Sequence, residues 1–267
     1  DKIAELFSEK IMYQSKFYTA ILMIFCLFCG LLNAQNGDSN SKIANFTQGK
    51  EYFVLEKPLA QFDGKFVKIF SYDCPICYKY DKLVIPKIVP QIKLEFEPIH
   101  YEKKGIFGKS ASEILAFANE FDEQSSSQNE FITSKISLFS RTIDALYTLY
   151  HVKKERFDDN PQNALEFEKA TILSIDLSDL NLSNKELLNK FNTWKTAQIS
   201  SNKTLKKWRD DELNAIAIKY GLPTFIINGK FIINTKEIKS IENFQEIIDA
   251  LSGQNLAQIS AYKSGTK

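Results

Sequence analysis

The sequence contains little of the material from which most metal and catalytic sites are built. It has four cysteines, two histidines and two methionines among 267 residues. A structural zinc site needs four ligands, and the cysteines and histidines beyond the amino terminus do not supply them at a suitable spacing. We therefore expect no metal site, and nothing in the composition calls for a cofactor.

Net charge of one sign is also missing, since 34 basic residues face 33 acidic ones. Without a global electrostatic field, neither nucleic acid nor an acidic membrane surface is favoured as a partner. The 44% hydrophobic content is that of an ordinary globular protein. The chain is long enough for one large or two modest domains.

A long apolar run occurs only near the amino terminus, where Lys16 precedes "FYTAILMIFCLFCGLLNAQN". Its length and its small residue Ala34 are typical of a secretory signal peptide, so residues 1–34 are predicted to be one, followed by cleavage and export. An uncleaved membrane anchor is the alternative. Met12 is a candidate start, which would make residues 1–11 an upstream extension. Export would leave the mature chain with Cys74 and Cys77 in an oxidising compartment.

After a polar lead over residues 35–50, residues 51–101 have the pattern of a β-α-β unit. "EYFVL", "FVKIFSY" and "IKLEFEPIHY" read as strands, and the second is apolar enough to be buried on both faces. Between the last two, Pro75 suits the first turn of a helix that Pro86 should kink and Pro90 should end. The cysteine pair lies at the turn from strand to helix.

Residues 102–215 are predicted to be an all-helical insertion, because apolar residues recur there at spacings of three and four. The predicted helical segments are "ASEILAFANEF", "FITSKISLFSRTIDALYTLYHV", "NALEFEKATILSI", "NKELLNKFNTWKTAQ" and "KTLKKWRDDELNAIAIKY", with "DEQSSSQNE" and "FDDNPQN" as loops. Residues 216–255 then return to the sheet, with Gly221 ending a helix, Asn228 and Gly229 turning a hairpin, and "IENFQEIIDALS" closing as a helix. Residues 256–267 form a tail. The pattern predicts an α/β fold with a helical insertion.

Cys74 stands directly before the predicted helix, whose unpaired N–H groups and partial positive charge would stabilise its thiolate. Cys77 follows one turn later on the same face, within reach of a disulfide. A metal clip lacks further ligands, and a structural disulfide closing so small a loop would stabilise the fold little. A redox pair is the favoured interpretation, since a C-x-x-C motif beside a β-α-β unit is typical of thioredoxin-like proteins.

Three segments, "GKEYFVLEKPL", "KIFSYDCPICYKYDKL" and "GLPTFIINGKFIIN", resemble the DsbA-type thiol:disulfide oxidoreductases of the bacterial periplasm, including the DsbL branch. The resemblance covers most of residues 49–101 and 203–252. It implies a thioredoxin fold with a helical insertion and mixed disulfides formed at Cys74, with Cys77 as its redox partner. It also implies a cis Pro223 facing the pair, with Leu222 and Thr224 beside it in substrate binding.

The residues around the cysteines depart from the family pattern in ways that bear on oxidising strength. The dipeptide between the cysteines is Pro75-Ile76, whereas DsbA proteins often carry Pro-His, whose imidazole can stabilise the thiolate. Asp73 adds a negative charge that should raise the pKa of Cys74. Ile76 and Asp73 therefore favour a weaker oxidant.

Lys68 acts in the opposite direction. It occupies the strand position, six residues before the first cysteine, at which thioredoxin-like proteins usually place a carboxylate. A buried, charged Lys68 would favour the thiolate, with Glu95 or Glu97 on the next strand as candidate counter-ions. The alternative is a lysine that reaches out to water at the sheet edge. Asp81, one turn into the helix, is a further acid expected near the site.

The function that these features favour is that of a monomeric periplasmic dithiol oxidase. Reduced exported proteins would be its substrates, and the resemblance implies reoxidation by a quinone-linked membrane oxidase of the DsbB type. A periplasmic reductase or isomerase is a second interpretation, favoured by the missing histidine. A peptide-binding chaperone, in which the cysteines matter less than an apolar surface, is a third.

Overall fold

The computed structural model describes residues 45–125 and 137–253. The predicted signal peptide over residues 1–34 and the tail over residues 256–267 lie outside the described residues. Residues Thr47–Ser252 form one compact unit. Within the described part, no helix combines the length and the apolar character needed to cross a bilayer.

Five strands of the described residues form one mixed sheet in the order β1-β5-β4-β2-β3. The parallel pair β2 and β3 occupies one side, and the other neighbouring pairs are antiparallel. The strands are β1 (Tyr52–Val54), β2 (Lys65–Phe70), β3 (Glu95–His100), β4 (Thr224–Ile227) and β5 (Phe231–Ile233). All six residues of β2 except the first are buried, as its continuous apolar run predicts for a central strand.

Helices cover the sheet and form a block between β3 and β4. The helices beside the sheet are α1 (Pro75–Leu83), α2 (Ile85–Ile88), α8 (Asp211–Tyr220) and α9 (Ile241–Ser252). The block contains α3 (Gly108–Ser125), α4 (Leu138–Tyr147), α5 (Ala164–Leu173), α6 (Asn184–Gln198) and α7 (Lys203–Trp208). The expected α/β fold with a helical insertion is confirmed. The predicted boundary between residues 215 and 216 falls inside α8, and the domain boundaries otherwise stay predictions.

Two helices differ from the predicted segments. The run over residues 203–220 is broken at Asp210, which has an extended backbone and caps α8 by accepting hydrogen bonds from the N–H groups of Glu212 and Leu213. Helix α3 continues to Ser125, into residues predicted as a loop. There the Asp122 carboxylate accepts hydrogen bonds from the N–H groups of Leu138 and Phe139. Asp122 therefore caps the next helix instead of forming a turn.

The predicted proline effects are observed at the end of the first β-α-β unit. Helix α1 ends at Leu83, and α2 begins at Ile85 with Pro86 in its first turn. Pro86 has no N–H to donate to the preceding turn, so the helix cannot continue through it without a break. A short turn of 3₁₀-helix over Val89–Gln91 then leads to β3.

The hairpin between β4 and β5 is turned by the predicted pair, with positive φ at Asn228 (51°) and Gly229 (61°). The carbonyl of Gly229 accepts the N–H of Leu59 at 2.7 Å. A Cβ at residue 229 would lie 2.0 Å from the Leu59 carbonyl oxygen. The position therefore requires glycine for both its backbone conformation and its close approach to another segment.

We predict that Gly229→Ala lowers the free energy of unfolding more than Gly64→Ala does. Gly64 also has a positive φ (71°), but a Cβ there would meet nothing within 4 Å. The left-handed conformation alone costs about 1–2 kcal/mol, and the overlap at residue 229 should add about 1–3 kcal/mol. Urea unfolding of both variants measures the difference, and equal losses would contradict the steric account.

Candidate active site

The two cysteines lie where β2 passes into α1. Cys74 has extended backbone angles and caps the helix, and Pro75 follows in its first turn. The Cys77 N–H donates a hydrogen bond to the Cys74 sulfur at 3.2 Å. Both thiols are unbridged and buried, and Cys77 is completely enclosed. This is the local geometry in which a helix N-terminus stabilises a thiolate.

The two thiols differ sharply in their tendency to ionise. The pKa of Cys74 is lowered to about 6, chiefly by a hydrogen bond from the Cys77 side chain, against the opposing effect of burial. The backbone N–H groups of Cys77 and Ile76 and the charge of Lys104 lower it further. The pKa of Cys77 is raised well above its ordinary value by burial and by the neighbouring Cys74. Ionisation is therefore concentrated on Cys74.

The loop before β4 faces the cysteine pair. The Leu222–Pro223 peptide bond is cis, as the resemblance implies. The Cys74 thiol is 3.6 Å from the carbonyl oxygen of Leu222, to which it donates. Pro223 and Thr224 are buried, Leu222 is half-buried, and the Thr224 hydroxyl donates to the Gly221 carbonyl. The structure thus brings Cys74 and the predicted substrate-binding loop into direct contact.

An ion pair between a buried lysine and a largely buried aspartate lies beneath the cysteines. Lys68 is 1% exposed, so the interpretation in which it reaches water at the sheet edge is wrong. Its ammonium group pairs with the carboxylate of Asp81 on α1 and lies 4.5 Å from the centre of the Phe70 ring. The charge of Lys68 acts to lower the pKa of Cys77, though less strongly than burial raises it.

The predicted counter-ions of Lys68, Glu95 and Glu97, are wrong. In the parallel register Lys65 is opposite Glu95, while Lys68 is opposite Pro98. Because side chains alternate between the faces of a strand, Lys68 and the two glutamates belong to opposite faces of the sheet. Lys65 pairs with Glu95 at 3.3 Å and with Glu97 at 2.7 Å, and Lys207 also pairs with Glu97.

Tyr147 completes the buried pair and was not predicted. Its hydroxyl donates to the second carboxylate oxygen of Asp81 at 2.5 Å, so the two oxygens of Asp81 have one partner each. Tyr147 is the last residue of α4 and is fully buried. The helical insertion therefore contributes directly to the charged group beneath Cys77. No sequence spacing connects residues 81 and 147, so only the packing of α4 against α1 reveals the contact.

The remaining predicted residues flank the cysteines at the surface. The side chain of Ile76 is 53% exposed, and it offers no donor to the Cys74 thiolate. The Asp73 carboxylate accepts a hydrogen bond from the Ser71 hydroxyl at 2.7 Å. The effect of Asp73 on the pKa of Cys74 stays a prediction. Two further apolar side chains, Ile106 and Val152, are also about half exposed.

The two histidines of the chain both bind the backbone of Tyr72, two residues before Cys74. The Tyr72 N–H donates to His100 Nε2 at 3.2 Å, and His151 Nε2 is 3.0 Å from the Tyr72 carbonyl oxygen. Complete burial lowers the pKa of His100 to about 3, so this imidazole is neutral. Its Nδ1 is 2.7 Å from the Ser112 hydroxyl.

Sequence reasoning missed both histidines, because it looked for one between the cysteines. One signal was available for His100. It ends β3, and the carboxyl ends of neighbouring parallel strands lie at one edge of a sheet, where sites form in α/β proteins. For His151 no such signal exists. Among the described residues no group of three His, Cys, Asp or Glu side chains could hold a metal ion.

Comparisons with known proteins agree with this geometry. A thiol:disulfide interchange protein named DsbL from Escherichia coli O6:H1 is 34% identical over 211 residues, which are 78% of this chain and 88% of that protein. A crystal structure of DsbL from Salmonella enterica serovar Typhimurium is similar with a TM-score of 0.64 and 33% identity. That match covers 79% of this chain and 98% of the other.

A crystal structure of DsbA from Proteus mirabilis shares the fold at 16% identity, with a TM-score of 0.50 over 79% of this chain and 97% of the other. No family model matches the sequence. The sheet, the inserted helices and these structural neighbours confirm the predicted thioredoxin fold with an all-helical insertion.

We predict that Lys68→Met lowers the free energy of unfolding by about 3 kcal/mol, because it leaves the largely buried Asp81 carboxylate without its cation. The double variant Lys68→Met, Asp81→Leu should recover part of this loss, since it removes both charges but leaves the Tyr147 hydroxyl without its acceptor. Urea unfolding of the wild type and both variants measures the two effects. A double variant as unstable as the single one would show that the ion pair itself is not the cause.

Proposed function

Because this chain belongs to the DsbA/DsbL family of thiol:disulfide interchange proteins, we propose that it is a periplasmic dithiol oxidase for exported proteins. It is a thiol:disulfide oxidoreductase. The single observation that carries the direction is the difference between the two thiols, with the pKa of Cys74 lowered to about 6 and that of Cys77 raised.

The lowered pKa favours oxidation of substrates because it stabilises the reduced enzyme. A thiol with a pKa of about 6 is roughly nine-tenths ionised at pH 7. The thiolate exists only after the enzyme disulfide has been reduced, so its stabilisation draws the reaction toward reduced enzyme and oxidised substrate. A low pKa also makes Cys74 a good leaving group when a mixed disulfide is resolved.

The reaction then proceeds in two exchanges. A substrate thiolate attacks the Cys74 sulfur of the oxidised enzyme, and the Cys77 sulfur leaves and takes up a proton. The second substrate thiolate attacks the substrate sulfur of the mixed disulfide, and Cys74 leaves as a thiolate. The substrate loses two electrons and gains a disulfide, while the enzyme disulfide accepts those electrons and becomes the dithiol.

We assign the loop at Leu222, Pro223 and Thr224 to substrate binding. Support comes from the contact between the Cys74 thiol and the Leu222 carbonyl, which places this backbone beside the sulfur that a substrate must reach. An extended peptide paired with the loop would bring its own cysteine to Cys74. Reduced exported proteins are the proposed substrates, and a quinone-linked membrane oxidase of the DsbB type is the proposed source of oxidising equivalents.

The ion pair of Lys68 and Asp81 is proposed to tune the pair of thiols. Lys68 is buried and lowers the pKa of Cys77 by its charge, so it favours the reduced form in which sulfur carries negative charge. Pro75 contributes by starting the helix whose N–H groups meet Cys74. The side chain of Ile76 supplies no hydrogen bond and Asp73 adds negative charge, so we expect the oxidising strength to lie below that of DsbA.

A glutathione redox titration of the purified protein tests the proposal. We expect a midpoint potential between about −200 mV and the value of about −120 mV for DsbA. Thioredoxin, a reductant, has about −270 mV. The oxidised protein should also oxidise a reduced peptide with two cysteines, and Cys74→Ser should abolish that activity. A potential near −270 mV would overturn the oxidase and favour a reductase.

Cys77→Ser is the matched control. It retains the Cys74 nucleophile but removes its partner, so it should accumulate a mixed disulfide with an oxidised peptide and turn over no further. Cys74→Ser should form none. If both variants form the mixed disulfide equally, the assignment of the two roles is wrong.

A further inference from the structure

Two histidines bind the turn that precedes Cys74, one at the N–H and the other at the carbonyl of Tyr72. The Cys74 N–H donates to the Ser71 carbonyl at 3.2 Å, so Tyr72 and Asp73 are the central residues of a turn between β2 and α1. His100 accepts the Tyr72 N–H, and His151 binds the Tyr72 carbonyl. In a β-turn the carbonyl of the second residue has no partner within the turn, so His151 provides one.

His151 contacts the site on both sides of Cys74. Its ring stacks on the ring of Tyr78 with centroids 5.0 Å apart and planes at 7°. Tyr78 belongs to α1, and its N–H donates to the Cys74 carbonyl at 3.0 Å. His151 thus contacts the turn before Cys74 through a hydrogen bond and the helix after Cys74 through its ring.

The backbone around His151 is specialised for this placement. Helix α4 continues as a turn of π-helix over Thr148–Val152, which the Lys153 N–H closes on the Thr148 carbonyl at 2.9 Å. Such wide turns are rare in helices and frequent at functional sites. Here the wide turn lies where the helical insertion meets the cysteine loop.

We propose that His151 is a positioning residue for the redox reaction, which stabilises the Cys74 thiolate by donating its Nε2–H to the Tyr72 carbonyl. The proposal rests on the proposed function, since it concerns the same thiolate. His151 does not touch the reacting sulfur in the contacts described above. It acts through the turn that carries that sulfur.

The physical argument concerns the direction of the Tyr72 carbonyl dipole. Its negative end belongs to the turn that carries Cys74, and an uncompensated oxygen there would disfavour a thiolate nearby. The hydrogen bond donated by His151 offsets this negative charge. It also fixes the turn, so that the helix N–H groups stay directed at the Cys74 sulfur. Other charged groups that act on His151 are Asp73 and Arg156, and the burial of the ring lowers its pKa. The neutral imidazole therefore acts as a donor, not as a cation.

In the reaction, this donor acts when Cys74 leaves the mixed disulfide as a thiolate. The leaving sulfur gains the electron pair of the broken S–S bond, and the helix N–H groups must already point at it. The same interaction is weaker when Cys74 is in a disulfide, because the sulfur then carries no charge. His151 accordingly favours the reduced enzyme over the oxidised one.

Two variants separate the hydrogen bond from the packing of the ring. His151→Phe keeps a flat ring for Tyr78 but loses the N–H donor, whereas His151→Gln keeps an N–H donor and loses the ring. For His151→Phe we expect the midpoint of the thiolate absorbance titration to rise by about 0.5–1 pH unit. At pH 7 the glutathione equilibrium should shift about three- to sixfold toward the oxidised enzyme. His151→Gln should retain most of the wild-type values.

Urea unfolding of each variant accompanies these measurements. The inference is overturned if His151→Phe titrates like the wild type, even when its stability is lower, because His151 would then only support the fold. It is equally overturned if His151→Gln shifts as far as His151→Phe, because the ring and not the donor would be responsible. A weakly oxidising wild type would refute the proposed oxidase alone, since the difference between variant and wild type remains measurable.

Discussion

The site depends on one contact, in which Cys77 at the first turn of α1 donates hydrogen bonds to the Cys74 sulfur from its side chain and from its N–H. It requires a helix that begins immediately after Cys74, which Pro75 provides. It also requires a strand that ends at a fixed place, which the buried β2 provides. The N–H groups of a helix N-terminus have no partners within the helix, so a sulfur at this place is stabilised as an anion while its neighbour one turn later is not.

The helical insertion is part of this arrangement. Tyr147 binds Asp81 beneath the cysteines, and His151, one turn later in the chain, binds the turn that precedes them. Both residues come from the end of α4 and the π-helical turn that follows it. The insertion therefore contacts the surroundings of the cysteine pair from two directions and does more than enlarge the protein.

The elements that could be predicted from sequence are those with local causes. The β-α-β unit follows from an apolar run and a proline, and the hairpin follows from Asn228 and Gly229. The break at Asp210 was missed because apolar periodicity runs through it, although an aspartate that can cap a new helix stands there. In that stretch a local hydrogen bond decided the structure against the longer pattern.

The contacts that escaped prediction join residues far apart in the chain. The pairing of Lys68 depends on which face of β2 the lysine occupies and on how α1 crosses that face, so nearby glutamates on the next strand were a wrong choice. The bond between His151 and Tyr72 joins residues 79 positions apart and leaves no trace in spacing. The motif alone predicts the cysteine pair as the candidate site, whereas the contacts around the pair are visible only in the packed structure.

The most direct test of this account is a pH titration of thiolate absorbance in the reduced protein. The account predicts one ionisation with a midpoint near the lowered pKa of Cys74, about 6. A second should follow only well above the ordinary range of a thiol, because the pKa of Cys77 is raised. The Cys74→Ser variant should lose the first ionisation. A first midpoint at the value of about 8.5 expected for an unperturbed cysteine would contradict the claim that the helix start stabilises the Cys74 thiolate.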